Sequence, residues 1–279
     1  MARVAALNIY PVKSCRGIAL DAARLTAAGF EFDREWMIVE PDGEFVTQRE
    51  LPRLALIATR LGATALQLEA PGMPALQVAL DPAAPRERRK VRVWRDIVDA
   101  LDESEAAAIW LSEFLGLPLR LVRFAPEAKR LSNKEFTREH DGYAKFADGY
   151  ALLAISTASL ADLNRRLAEK SAAALPMNRF RPNIVPDGDD LGPYDEDRML
   201  SLRAGDVALK PVKPCTRCQI TTTDQQTAEI PSAEPLLTLA TYRVNEALGG
   251  IAFGQNLIVL EGAGSSLRVG DALDVEWNF

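Results

Sequence analysis

Between residues 210 and 222 the chain reads Lys-Pro-Val-Lys-Pro-Cys-Thr-Arg-Cys-Gln-Ile-Thr-Thr, and no other stretch limits its folding as tightly. Pro211 and Pro214 each lack a backbone donor and hold φ at roughly −65°, so this segment can neither start a helix nor serve as the interior of a ladder. Gly205-Asp206 ahead of Val207, Leu209 and Val212 predicts a turn and then a strand, and Ile220-Thr221-Thr222-Thr223 predicts the start of the next. Cys215 and Cys218 are therefore expected on a stiff loop between strands, where a thiolate could be fixed in place.

Two cysteines three positions apart admit four readings. A structural zinc site needs four ligands, and outside this pair the chain offers only Cys15 and His140. A thioredoxin-like dithiol wants its first cysteine at a helix N-terminus, whereas Pro-Cys-Thr-Arg-Cys-Gln-Ile-Thr-Thr has strand character. Two small buried hydrophobes are the third reading. Lys210, Lys213 and Arg217 weigh against it, because an electropositive setting favours thiolate. The fourth is a single cysteine acting as the one protein ligand to a metal carried by a cofactor.

Composition removes other chemistries. The net charge of −6 argues against nucleic acid or an anionic membrane as the main partner, so basic clusters must serve a local purpose. No apolar run approaches the roughly 20 residues of a membrane span, and the start of the chain lacks a signal peptide's apolar region. Three cysteines, an odd number, fit reduced thiols in the cytoplasm better than a disulfide framework. The single histidine, His140, lies in a polar stretch read as a solvated loop, which leaves no His-Glu-x-x-His site and little room for a Ser-His-Asp arrangement. No Gly-x-Gly-x-x-Gly or Walker loop is present either.

Taken in order, Val4 to Tyr10 reads as a strand, followed by the basic loop Lys13-Ser14-Cys15-Arg16-Gly17, a turn of the kind that holds an oxyanion. Phe30 to Val39 leads through Pro41-Asp42-Gly43 to a return strand at Phe45 to Arg49. Arg34 lies within Asp33-Arg34-Glu35-Trp36, suited either to gripping a phosphate or to an ion pair with Asp33 or Glu35. Short strands are expected at Leu54 to Leu61, Ala65 to Glu69, Leu76 to Leu80 and Lys90 to Trp94, with Pro82 and Pro85 in a loop. This spacing suggests a small barrel or sandwich. A helix follows Asp102-Glu103-Ser104, with Ala108, Trp110, Leu111, Phe114 and Leu115 inward and Gly116 as its stop, marking a domain junction. Ala125 to Asp148 reads as a long mobile loop of the kind that forms lids. A second helix is expected from a capping box at Ser159 and Asp162. Arg181 and Asn183 are expected on one face of a strand, where a polar ligand or nearby acids would satisfy them. A last helix is expected over Ala233 to Leu248, before two closing strands, Phe253 to Leu260 and Leu267 to Val275.

Three segments in this order, Tyr10-Pro11-Val12-Lys13-Ser14-Cys15-Arg16-Gly17, Phe180-Arg181-Pro182-Asn183-Ile184-Val185 and Pro214-Cys215-Thr216-Arg217-Cys218-Gln219-Ile220-Thr221-Thr222, resemble the MOSC-domain molybdenum proteins, whose relatives include the amidoxime-reducing components. The resemblance covers nearly the whole chain. It implies an α+β fold, predominantly β, with an N-terminal β-barrel-like domain over residues 1–117 and a MOSC β-barrel with flanking helices over 118–279. It further implies the molybdenum cofactor, a metal coordinated by Cys218, and cofactor contacts from Lys13, Ser14, Arg34, Arg181, Asn183, Thr216 and Arg217. Arg217 is expected to keep Cys218 ionised, and Asp148 matches the family's acidic residue beside the metal. The implied activity is reduction of N-hydroxylated small molecules with electrons from a separate donor, ferredoxin-, cytochrome b5- or flavin-reductase-like. Two alternatives stay open: a carrier of cofactor or sulfur through Cys218, and a plain dithiol protein using Cys215 and Cys218.

Overall fold

A computed structural model describes residues 1–81 and 86–278; Pro82 and Pro85 lie outside the described residues. Strands dominate: in Arg3–Ile9, Leu7 and Ile9 are buried at alternate positions, and Val4 is buried beyond a register shift between Val4 and Ala6. This strand pairs antiparallel with both Ile18–Leu20 and Ile184–Asp187, placing the chain's first strand within a nine-stranded sheet. The sheet continues through Leu152–Ala154, Gly250–Glu261, Val207–Thr216, Met199–Ala204 and Asp274–Trp277. A second sheet pairs Trp36–Val39 with Arg120–Phe124, and Arg120–Phe124 with Asp96–Asp102, whose other edge carries Arg88–Val93. Strands thus cross residue 117 in both directions, which brings residues 10–49 and 148–218 close together.

Both main helices begin where short polar side chains can replace missing partners. Ser104 accepts from the Ala107 N–H ahead of Glu105–Leu115, and Gly116 at φ 76° closes that helix in the left-handed conformation that glycine adopts freely. Thr157–Glu169 is capped by Ser156, three residues before the expected Ser159, because the Ser156 hydroxyl reaches the Ser159 N–H.

Five expectations give way to local physics. The Val207–Thr216 strand runs through Pro211, Pro214 and Cys215 and still pairs with Gly250–Glu261, because register shifts at Pro211/Lys213 and Pro214/Thr216 place the prolines at irregularities. Ile220 to Thr222 form a 3-10 turn, Gln219–Thr222: the Thr221 and Thr222 hydroxyls donate to the Cys218 and Gln219 carbonyls and hold the chain curled. The helix over Ala233 to Leu248 shrinks to Leu236–Leu239, since Arg243 turns out to donate to Ala252 O and Asp197, and Val244–Asn245 becomes a strand. Arg181 is not in a strand: it takes φ 58° just after the Met177–Arg179 turn, and Ile184–Asp187 begins only beyond Asn183. The stretch from Leu54 also starts differently, as a 3-10 turn at Pro52–Leu56 before Ala58–Leu61.

Candidate active site

Lys13, Ser14, Arg34, Asp148, Arg181, Asn183, Thr216, Arg217 and Cys218 all line one cleft, with about 880 Å³ of non-protein space partly open to solvent. They arrive from segments up to about 200 residues apart, and the interlocking sheets bring them together.

The N-terminal wall is fixed from behind. Lys13 and Ser14 are nearly inaccessible, each 6% exposed, while Cys15 points into the core and its carbonyl accepts from Arg181 Nη1 at 2.7 Å. Burial pushes the Cys15 thiol up to about 12, against the opposing charge of Arg181, so it is a packing residue. Gln48 and Gln225 exchange hydrogen bonds of 3.1 and 2.9 Å, and Gln48 also donates to Ser14 O at 2.6 Å. This pair ties the Lys13 loop to the chain that follows Cys218.

Tyr10 lies between two guanidinium groups, Arg34 at 4.3 Å and Arg181 at 4.2 Å from its ring centroid. Burial raises its phenol to about 12 despite both cations, and its O–H donates to Pro182 O. Burial likewise lowers Arg181 to about 10. Arg34 forms the ion pair with Asp33 that its neighbours allowed, at 2.6 Å, but this pair is buried rather than superficial. Arg34 also donates to Asn183 Oδ1 at 2.9 Å. Asn183 accepts in addition from the Leu153 N–H at 3.2 Å and donates to Asn8 O at 3.1 Å. Its polar groups are therefore satisfied within the protein, and acids at 187–197 play no part in that.

Asp148 is placed by a segment read from sequence as mobile. The segment is pinned by Arg130, 6% exposed, which donates to Asp96 and to the carbonyls of Lys145, Ala147 and Asp148. One Asp148 oxygen accepts from Lys13 Nζ at 2.5 Å and from Trp94 Nε1 at 3.2 Å. Protein surrounds the carboxylate, yet two-thirds of its side chain faces open space, since it stands in a cavity wall. Desolvation there would raise its pKa, but the Lys13 ammonium and the Trp94 N–H outweigh it and hold Asp148 below the usual carboxylate range. Burial lowers Lys13, and the pairing with Asp148 partly offsets that.

The cysteine end departs from expectation. Arg217 donates to Cys215 Sγ at 3.0 Å and to Phe180 O at 2.7 Å, whereas Cys218 Sγ accepts from Arg49 Nη2 at 3.3 Å. The sequence marks Arg49 only as the end of a return strand, and no local signal there points to Cys218. His140 sits beside Glu139 and does not line the cleft.

The cleft fits a polyanionic cofactor that brings most of its own metal ligands. Lys13, Arg34, Arg49, Arg181 and Arg217 line it against the single carboxylate of Asp148, and Arg217 Nε is buried without a protein partner. Among the described residues no group of three or more His, Cys, Asp and Glu could hold a metal, and the sulfurs that line the cleft are those of Cys215 and Cys218. A soft sulfur donor of this kind suits a metal carried on a dithiolene.

Comparison with known proteins agrees with the three motifs. Residues 1–118 match the MOSC N-terminal beta barrel domain and residues 141–274 the MOSC domain. The chain is 38% identical to mitochondrial amidoxime-reducing component 1 of Mus musculus over 96% of its own length and 80% of the relative's. Identity to the Homo sapiens component 1 is 37%, again over 96% of the chain and 81% of the relative. Similarity extends to the molybdenum cofactor sulfurase of Oryza sativa subsp. japonica, 34% identical over 88% of the chain but 31% of that longer protein. The chain belongs to the MOSC-domain family that contains the amidoxime-reducing components.

Proposed function

We propose that this protein is a molybdenum-cofactor-dependent oxidoreductase that reduces N-hydroxylated compounds. The observation that carries the reading is a cleft lined by five cationic side chains and by the Cys218 sulfur, together with family membership. An amidoxime would take up two electrons and two protons and leave as the amidine plus water.

The cofactor, when bound, supplies the two-electron oxygen-removal chemistry. The chain supplies the rest. Cys218 coordinates the metal, with Arg49 donating to its sulfur. Lys13, Ser14, Arg34, Arg181 and Arg217 present donors and positive charge to pterin and phosphate oxygens, Thr216 adds a hydroxyl at the rim, and Asn183 acts from behind by holding Arg34. Asp148, kept ionised by Lys13, orients the substrate's O–H or N–H through the oxygen that neither Lys13 nor Trp94 occupies.

Electrons come from a separate donor, ferredoxin-, cytochrome b5- or flavin-reductase-like, since three cysteines, one buried and one assigned to the metal, are too few for an iron–sulfur cluster. Among the described residues no helix is long and apolar enough to cross a membrane. Three unpaired thiols support a reducing compartment, the cytoplasm. The division near residue 117 is retained as two domains with exchanged strands. Similarity to a sulfurase favours a second reading, a carrier using Cys218.

Turnover decides between them. Protein from a host that makes the cofactor, supplied with a chemical one-electron donor, should convert benzamidoxime to benzamidine catalytically. Retention of cofactor with no turnover of amidoximes or hydroxylamines would leave the carrier reading in its place.

A further inference from the structure

Trp94 sits at the tip of the tight hairpin between Arg88–Val93 and Asp96–Asp102, where the pairing of Val93 with Asp96 leaves only Trp94 and Arg95 in the loop. Its φ is 57°, a conformation that two-residue hairpins normally give to glycine, asparagine or aspartate. A large aromatic residue there strains the backbone, and with 42% of its surface exposed it does little for the core. The fold alone does not account for it.

Its contacts do. The indole N–H donates to Asp148 Oδ1 at 3.2 Å, next to the Lys13 ammonium on the same oxygen. The Arg49 guanidinium lies 4.6 Å from the indole centroid, and the same guanidinium donates to Cys218 Sγ. Phe45 meets the indole edge to face at 5.1 Å and steadies it. One side chain thus touches both the carboxylate that faces substrate and the cation that contacts the metal ligand. A long arginine is otherwise free to choose among many rotamers, and stacking removes that freedom.

Building on the oxidoreductase reading above, we propose that Trp94 is a positioning residue for the reduction, setting the Asp148 carboxylate and the Arg49 guanidinium about the Cys218 site from a single side chain. It acts through these two groups and needs no contact with substrate.

The test compares wild type with Trp94→Ala and Trp94→Phe, the latter keeping a ring under Arg49 but losing the donor to Asp148. Molybdenum and pterin per chain should be unchanged in both. With hydroxylamine as substrate, kcat should fall at least tenfold in Trp94→Ala with KM within twofold, and Trp94→Phe should recover part of the loss. Crystals of Trp94→Ala should show Arg49 Nη2 moved out of hydrogen-bonding distance of Cys218 Sγ and Asp148 rotated. Arg49 and Asp148 unmoved in those crystals would overturn the proposal, whether or not the wild type reduces any N-hydroxylated compound. A kcat within twofold of wild type at full metal content would overturn it as well.

Discussion

Replacing Asn183 with alanine should destabilise the protein in the complete absence of cofactor. Asn183 is 1% exposed and makes three hydrogen bonds, from Arg34 and the Leu153 N–H to Oδ1 and from Nδ2 to Asn8 O. Arg34 keeps Asp33 as a partner in the variant. The Leu153 N–H loses this partner in a buried setting, at roughly 1–3 kcal/mol, and the Asn8 carbonyl loses it in a part-buried one, at roughly 1 kcal/mol. The expected loss is about 3 kcal/mol, equivalent to a fall in Tm of about 5 °C for a chain of this size. Urea unfolding of cofactor-free wild type and Asn183→Ala measures it. Because no pterin is present, a contact to pterin cannot contribute. A loss below about 1 kcal/mol would refute the assignment of Asn183 to internal hydrogen bonding and return it to the cofactor.

Two further outcomes follow from the charge and thiol environments. Asp148 has a depressed pKa, so the stability it contributes is present above the unfolded value near 3.9 and is lost as pH falls through the lower folded value. The urea midpoint difference between wild type and Asp148→Asn should therefore be constant from about pH 5 to 7 and shrink below about pH 4; a difference that instead grows on acidification would contradict the Lys13 pairing. Cys15, buried and raised to about 12, should resist iodoacetamide in the folded cofactor-free protein at pH 8, while the half-buried Cys215 and Cys218 react. Equal labelling of all three without denaturant would show that the Lys13 loop is not packed as described.

The readable parts of this sequence are those governed by short-range rules. Ser104 and Gly116 bound a helix because a hydroxyl and a positive φ are local needs, and Leu7 and Ile9 define a buried strand face through simple alternation. The nine site residues named from motifs meet in one cleft, since each motif fixes a local shape that the sheets then bring together. What escaped depends on contacts between distant residues. Nothing near Arg217 says that it turns to Cys215, nor that a guanidinium 169 positions away reaches Cys218. Pro211 and Pro214 argued against a ladder, and only the register shifts opposite them make the Val207–Thr216 strand possible. Arg130 looked like one more charge in a polar stretch until its four acceptors were in place.

The central claim is that Cys218 alone among the protein's side chains binds molybdenum. Molybdenum and pterin per chain, measured in wild type, Cys218→Ala and Cys215→Ala from a cofactor-producing host, test it most directly. Near-stoichiometric metal and pterin are expected in wild type and in Cys215→Ala, with molybdenum lost or its coordination altered only in Cys218→Ala. Loss of molybdenum in Cys215→Ala with normal coordination in Cys218→Ala, or no cofactor in any of the three, would contradict the account.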